Sequence, residues 1–134
     1  MIGPYVSLSA GMAPTQELLS DRIVEIGDRV LIGRNSSIVG HFHIVIEDDV
    51  FFGPNVYVTD QNHAFDDLQT PIGKQSMPEE PVRIGAGSWI GTNSVCCRSD
   101  HRKACRHRAG SVVTTDLPDN SVAVGSPARV IQQF

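Results

Sequence analysis

The side chains able to do chemistry are unevenly spread along this chain. All three cysteines, two of the five histidines and five basic residues fall in one stretch, SVCCRSDHRKACRHRAGS, residues 94–111. Cys97, His101, Cys105 and His107 form a mixed thiolate and imidazole set of the kind zinc accepts. Their spacing, however, lacks a close Cys-Cys pair followed by a second, separated pair. No aromatic residue interleaves the five cations, so bases would find no stacking platform. Neither a metal ion nor nucleic acid is therefore expected. The other imidazoles are His41 and His43, in GHFH, and His63, in TDQNH. Imidazole is the side chain suited to taking and returning a proton near neutral pH. His41 and His43 read as corner residues, and His63 otherwise reads as a solvated loop histidine.

Composition narrows the class. The chain has 134 residues and a formal net charge of −4, with +4 confined to residues 96–108 and −8 carried by the rest. A generally acidic surface argues against nucleic acid as the main partner. No apolar run approaches the roughly 18 residues needed to span a bilayer, so no membrane partner is expected. No signal segment is read at the start, and the cysteine pattern is not a disulfide framework, so a cytoplasmic protein is expected.

A repeat of six residues must position these side chains. Aliphatic or aromatic residues open each unit at Ile26, Ile32, Ile38, Ile46, Phe52, Val58, Ile84 and Ile90. Glycine follows at 27, 33, 53, 85 and 91, and the fifth place is small or β-branched: Val30, Ser36, Val50, Val56, Ser88, Ser94. A helix repeats near 3.6 and a strand at 2, so a period of six means a short strand plus a corner. Three such units make a triangular turn of about 18 residues, with the opening residues stacked inside. The fold class expected from this period is all-β: a parallel β-helix of about four coils. It has one loop excursion over 64–81, an octad at IVGHFHIV and a short C-terminal tail. Residues 1–20 are read as a cap or remnant, and 21–134 as the single domain.

VYVTDQNHAFDD (56–67), PVRIGAGSWIGTNSV (81–95) and AGSVVTTDLPDNSVAVGSPARVI (109–131) together resemble the hexapeptide-repeat acyltransferases. The likeness is strongest to the branch of maltose, galactoside, xenobiotic and polysaccharide O-acetyltransferases. It implies that the parallel β-helix is left-handed, and direct acetyl transfer from acetyl-CoA to a sugar or glycan hydroxyl, in a homotrimer with its sites between neighbouring prisms. It makes His63 the general base, with Asp60, Asp66 or Glu79 as candidates to fix its tautomer. Asn62, Asp60 and Trp89 are placed at the acceptor. Gly85, Ala86, Gly87, Ser88, Ala109, Gly110, Ser111, Ser126, Pro127 and Arg129 are placed along the coenzyme, with Arg129 near a phosphate. A carbonic-anhydrase-like metal site is discounted, because Leu68 stands where a second histidine would follow His63.

The stretch 96–108 departs from the resemblance. The family pattern expects VLPGxTIGKHAVIG before AGSVV, and this chain is one residue shorter there. Read back through the genetic code one base early, Cys96-Cys97-Arg98 permits Val-Leu-Pro. Read one base late, Asp100 to Arg108 permits the rest of the hexad pair. The segment is thus read as frame-shifted text and a disrupted coil, with polar or charged side chains falling on interior places and the chain looping out. An inactive product of a disrupted gene and a Cys/His metal-binding protein through 96–107 are the alternatives to the enzyme.

Overall fold

The computed structural model describes residues 1–11, 21–97 and 99–134. Among them the chain is short β-strands and turns, with one 3-10 turn at Ile72–Lys74 and no α-helix. The strands build three sheets. The first stacks Ser7–Ala10, Ser37–Gly40, Tyr57–Thr59, Val95–Cys97 and Val112–Val113. The second stacks Val24–Ile26, Ile44–Ile46, Val82–Ile84 and Asp100–His101, and the third Phe51–Phe52, Trp89–Ile90, Arg106–His107 and Ser121–Val124. Every pairing among these is parallel. The closing strand Arg129–Gln133 instead runs antiparallel to Ser121–Val124. The chain visits the sheets in turn, which makes a three-faced parallel prism.

The interior is organised as one column per face. Ile38, Val58, Cys96 and Val113 are in register on the first. Ile26, Ile46, Ile84 and His101 share the second. Phe52, Ile90, His107 and Ala123 share the third, with Ile32 joined through the Leu31–Phe51 bridge. Every sixth side chain thus faces inward, but three columns share the work because three units complete a circuit. Ile26 is the exception in burial. It lies on the edge strand of its sheet and stays 37% exposed, whereas Ile32, Ile84 and Ile90 are buried.

Residues 1–11 belong to the prism. Ile2 bridges Ile32 and Ser7–Ala10 pairs with Ser37–Gly40, so IGPYVS is a hexad overlooked in the repeat. The cap expected over 1–20 is here another layer of coil; residues 12–20 lie outside the described residues.

Each corner has two requirements. The fourth place of the unit is left-handed at Asn35, Asp49, Asn55, Gly87, Asn93, Gly110 and Asn120. Asn, Asp and Gly adopt that conformation at least cost. The glycine in second place answers a different need. A Cβ on Gly91 would lie 2.5 Å from the carbonyl oxygen of His107 in the next layer.

Residues 96–97 and 99–108 do not loop out. Strands Val95–Cys97, Asp100–His101 and Arg106–His107 hold register with the layers on either side. The unit opened by Cys96 has five residues, and the missing one falls before His101. The charges stay outside: Arg102, Lys103, Arg106 and Arg108 are exposed, while Cys96, His101, Cys105 and His107 face inward. Uncharged polar groups, not cations, thus occupy the interior places, and the burial penalty for an unpaired charge does not arise. Arg98 lies outside the described residues.

Candidate active site

The octad corner and the end of strand Tyr57–Thr59 form one unit. The octad adds two residues at Gly40–His43, which swings three backbone N–H groups toward the next layer. Asp60 meets them there. Its buried carboxylate accepts from the amides of His41, Phe42 and His43 at 2.8–3.1 Å. Asp60 is therefore a corner brace. Both of its oxygens accept from this turn, and the side chain is fully buried.

Glu79 is likewise committed. Its carboxylate is hydrogen-bonded to Nδ1 of the buried His41 and accepts from Gln61 Nε2 at 3.1 Å. His43 Nε2 lies 2.9 Å from Glu25 on the neighbouring strand. The His41–Glu79 pair was not visible in the spacing, since 38 residues and the whole loop separate its members. The excursion over 64–81 returns alongside itself to bring Glu79 back. Ala64 bonds Ser76, Asn62 bonds Pro78, and Gln61 bridges Glu79.

His63 stands at the foot of that excursion with its imidazole exposed. Its backbone N–H donates to Asn62 Oδ1 at 2.9 Å, which fixes the turn that projects the ring outward. Asp66 is exposed on the same leg of the loop and is the one candidate orienter not engaged as Asp60 and Glu79 are.

Trp89 lies on another face. It opens a strand of the third sheet, in register between Phe51 and Arg106, and is 46% exposed. Within one chain it does not share a surface with His63. The coenzyme candidates also divide. Gly85–Ser88 form the edge between the second and third faces, held between Asp48 and Ala104. Ala109–Ser111 form the edge between the third and first faces, under Thr92. The Ser88 and Ser111 hydroxyls point inward: Ser88 Oγ accepts from the Cys105 amide, and Ser111 Oγ donates to the Arg108 carbonyl. Only the backbone of these two serines faces the edges. Gly87 and Gly110 leave open space above their Cα atoms. Ser126 and Pro127 are exposed in the turn before the closing strand. Arg129 is exposed as well, and its guanidinium donates to the Ala128 carbonyl.

Beside Gly85, Glu47 accepts from the Arg83 guanidinium and, at 2.8 Å, from the Ala86 amide. The Arg83 hydrogen bond holds the Glu47 carboxyl below its usual range. These groups, with Arg102, Lys103, Asp100 and Asp119, line a cleft of about 340 Å³.

Comparison with known proteins bears on this geometry. Residues 23–40 match the family model described as the hexapeptide repeat of succinyl-transferase. A probable acetyltransferase of Mycobacterium tuberculosis is 36% identical over 110 residues, 81% of this chain and 37% of that protein. The galactoside O-acetyltransferase of Escherichia coli is 32% identical over 115 residues, 83% of this chain and 54% of that protein. The chain belongs to the hexapeptide-repeat acetyltransferases. It spans about half the length, or less, of these two curated relatives. Among solved structures, a maltose O-acetyltransferase from Clostridium difficile superposes with a TM-score of 0.76 at 28% identity, over 98% of this chain and 68% of that one. A galactoside acetyltransferase in complex with coenzyme A gives 0.75 at 28%, over 96% and 64%. Among the described residues no helix is long and apolar enough to cross a membrane.

Proposed function

We propose that this protein transfers the acetyl group of acetyl-CoA to a hydroxyl of a sugar or glycan, with His63 as general base. The observation that carries this reading is an exposed histidine at the root of the loop, its backbone N–H held by Asn62 Oδ1, in a chain whose relatives include galactoside O-acetyltransferases. In the reaction His63 takes the acceptor hydroxyl proton as the oxygen attacks the thioester carbonyl. The proton then goes to the departing coenzyme A sulfur. No covalent acyl-enzyme is needed, so the cysteines have no nucleophilic role. Of the carboxylates considered for His63, Asp66 is left to orient the ring.

The division of the coenzyme candidates between two prism edges supports a homotrimer. Gly85–Ser88 and Ala109–Ser111 line a single coenzyme only if edges of neighbouring protomers meet, which closed three-fold symmetry provides. Trp89 then belongs to the groove wall between copies, and Arg129 to the nucleotide end. In that assembly the prism is a left-handed β-helix, as in the sequence reading.

His63→Ala is expected to lower kcat about 100-fold or more, as for loss of a general base, while calorimetry still registers coenzyme A binding. Acetyl transfer to galactosides and maltose, followed by mass spectrometry, is the measurement. Unchanged turnover in His63→Ala removes His63 as the base. Loss of coenzyme A binding in the same variant reassigns it to the coenzyme site.

A further inference from the structure

One layer of the prism interior is unlike every other. Where the neighbouring layers present Val58, Ile84 and Ile90 on one side and Val113, Leu117 and Ala123 on the other, this layer presents Cys96, His101 and His107. Each comes from a different face, so three donor groups converge on the prism axis. All three residues are buried at 0% exposure, and one donor atom from each lies within 4.8 Å of the other two. Cys96 Sγ is 3.7 Å from His107 Nδ1.

The hydrogen bonding of this layer is incomplete. Ser99 Oγ lies 2.5 Å from His101 Nε2 and settles that side of the ring. His101 Nδ1 and His107 Nε2 are buried with no partner among the described residues. An unpaired buried polar atom is costly, and native interiors hold few of them. Two such atoms in one layer, beside a thiol and between apolar layers, mark a place built for something that accepts their lone pairs.

We propose that Cys96, His101 and His107 bind one Cu⁺ ion at the centre of the prism, as a three-coordinate site with one sulfur and two nitrogen ligands. Charge and geometry choose the ion. A monovalent ion with one thiolate and two neutral imidazoles has no net charge, whereas a divalent ion would leave one positive charge among apolar layers. Soft thiolate ligation favours Cu⁺. Bond lengths of about 2.3 Å to sulfur and about 2.05 Å to nitrogen, as in zinc sites, put trigonal ligands about 3.6–3.8 Å apart. One donor atom of each residue lies within 4.8 Å of the other two, so the longest separation closes by about 1 Å. Binding releases the Cys96 thiol proton to solvent and forms the Cu–S bond, with no change of oxidation state. The Ser99 hydroxyl accepts from His101 Nε2–H, so Nδ1 is the nitrogen offered to the ion. The layer is closed from outside, so the ion enters as the chain folds.

The full chain is unfolded and refolded anaerobically with reductant, in the presence of Cu⁺, Zn²⁺ or Co²⁺, or with none of them. One tightly held Cu⁺ per chain is expected. X-ray absorption is expected to show one sulfur and two nitrogen scatterers, and the thermal midpoint is expected to rise with copper. The variant Cys96→Val, His101→Ile, His107→Ile refills the layer with apolar side chains. It is expected to fold without metal, by circular dichroism, and to hold no copper. Copper bound equally by that variant would overturn the proposal by placing the ion at Cys97, Cys105 or the surface. So would refolded wild-type protein that takes up no Cu⁺, or that takes one Zn²⁺ or Co²⁺ in preference to it.

Discussion

Ala104 occupies a left-handed position that most units of the repeat fill with Asn, Asp or Gly. It is the fourth residue of its corner and has φ 54°, where the matching corners place Asn, Asp or Gly at most positions. A left-handed alanine costs about 1 kcal/mol or more relative to glycine. Ala104→Gly is therefore expected to stabilise the fold by about 0.5–1 kcal/mol, read as a higher urea midpoint at unchanged slope. The same rule shows what residue-level reading captured and lost. The second-place glycines and first-place aliphatics stood out at once. The left-handed fourth place did not, because Asn, Asp, Gly, Arg, Ala and Tyr share it and only the backbone angle unites them. His63 stood out because it closes a run of regular units. His41–Glu79 did not, because a loop brings that pair together.

At the scale of elements, the octad corner is held by one carboxylate. Asp60→Ala would leave three amides of the His41–His43 turn without their acceptor. A loss of about 3 kcal/mol is expected from denaturant unfolding. Asp60→Asn, which keeps one oxygen, is expected to lose less. The edge at Gly85–Ser88 depends on Glu47 in a pH-dependent way. Its carboxyl is held below the ordinary value of 4.5, first by the Arg83 hydrogen bond and next by the Ala86 amide. A carboxyl lowered in the folded state stabilises the fold above its unfolded value, and that contribution fades as pH falls below about 4.5. Glu47→Gln is expected to lower the melting temperature at pH 7 and to flatten its decline below pH 4.5, as measured by calorimetry across pH. The strands themselves were legible from the six-residue period, and so was the loop between Val58 and Ile84. The continuity of 95–107 was not, because periodicity alone cannot show that a five-residue unit still closes a corner. Among the described residues on either side, the inward places carry Cys and His while Arg102, Lys103, Arg106 and Arg108 fall on exposed ones.

For the whole molecule, the third face sets the question of assembly. Phe51, Trp89 and Arg106 form one outward ladder, and Phe51 and Trp89 are both nearly half exposed. Trp89→Asp is expected to shift sedimentation from trimer to monomer and to abolish acetyl transfer, while circular dichroism stays that of the parent. Retained trimer with retained activity would remove this face from the interface. The opposite polarity of Arg129–Gln133 against Ser121–Val124 acts on a larger scale still. A spiral of like rungs has no inherent stopping rule, and any rung's free edge is a template for the next. Here that edge is taken by a ribbon facing backwards, whose donor and acceptor spacing does not match a forward rung. On this face the outer edge of Ser121–Val124 is already paired, so a further forward rung cannot add directly to that strand.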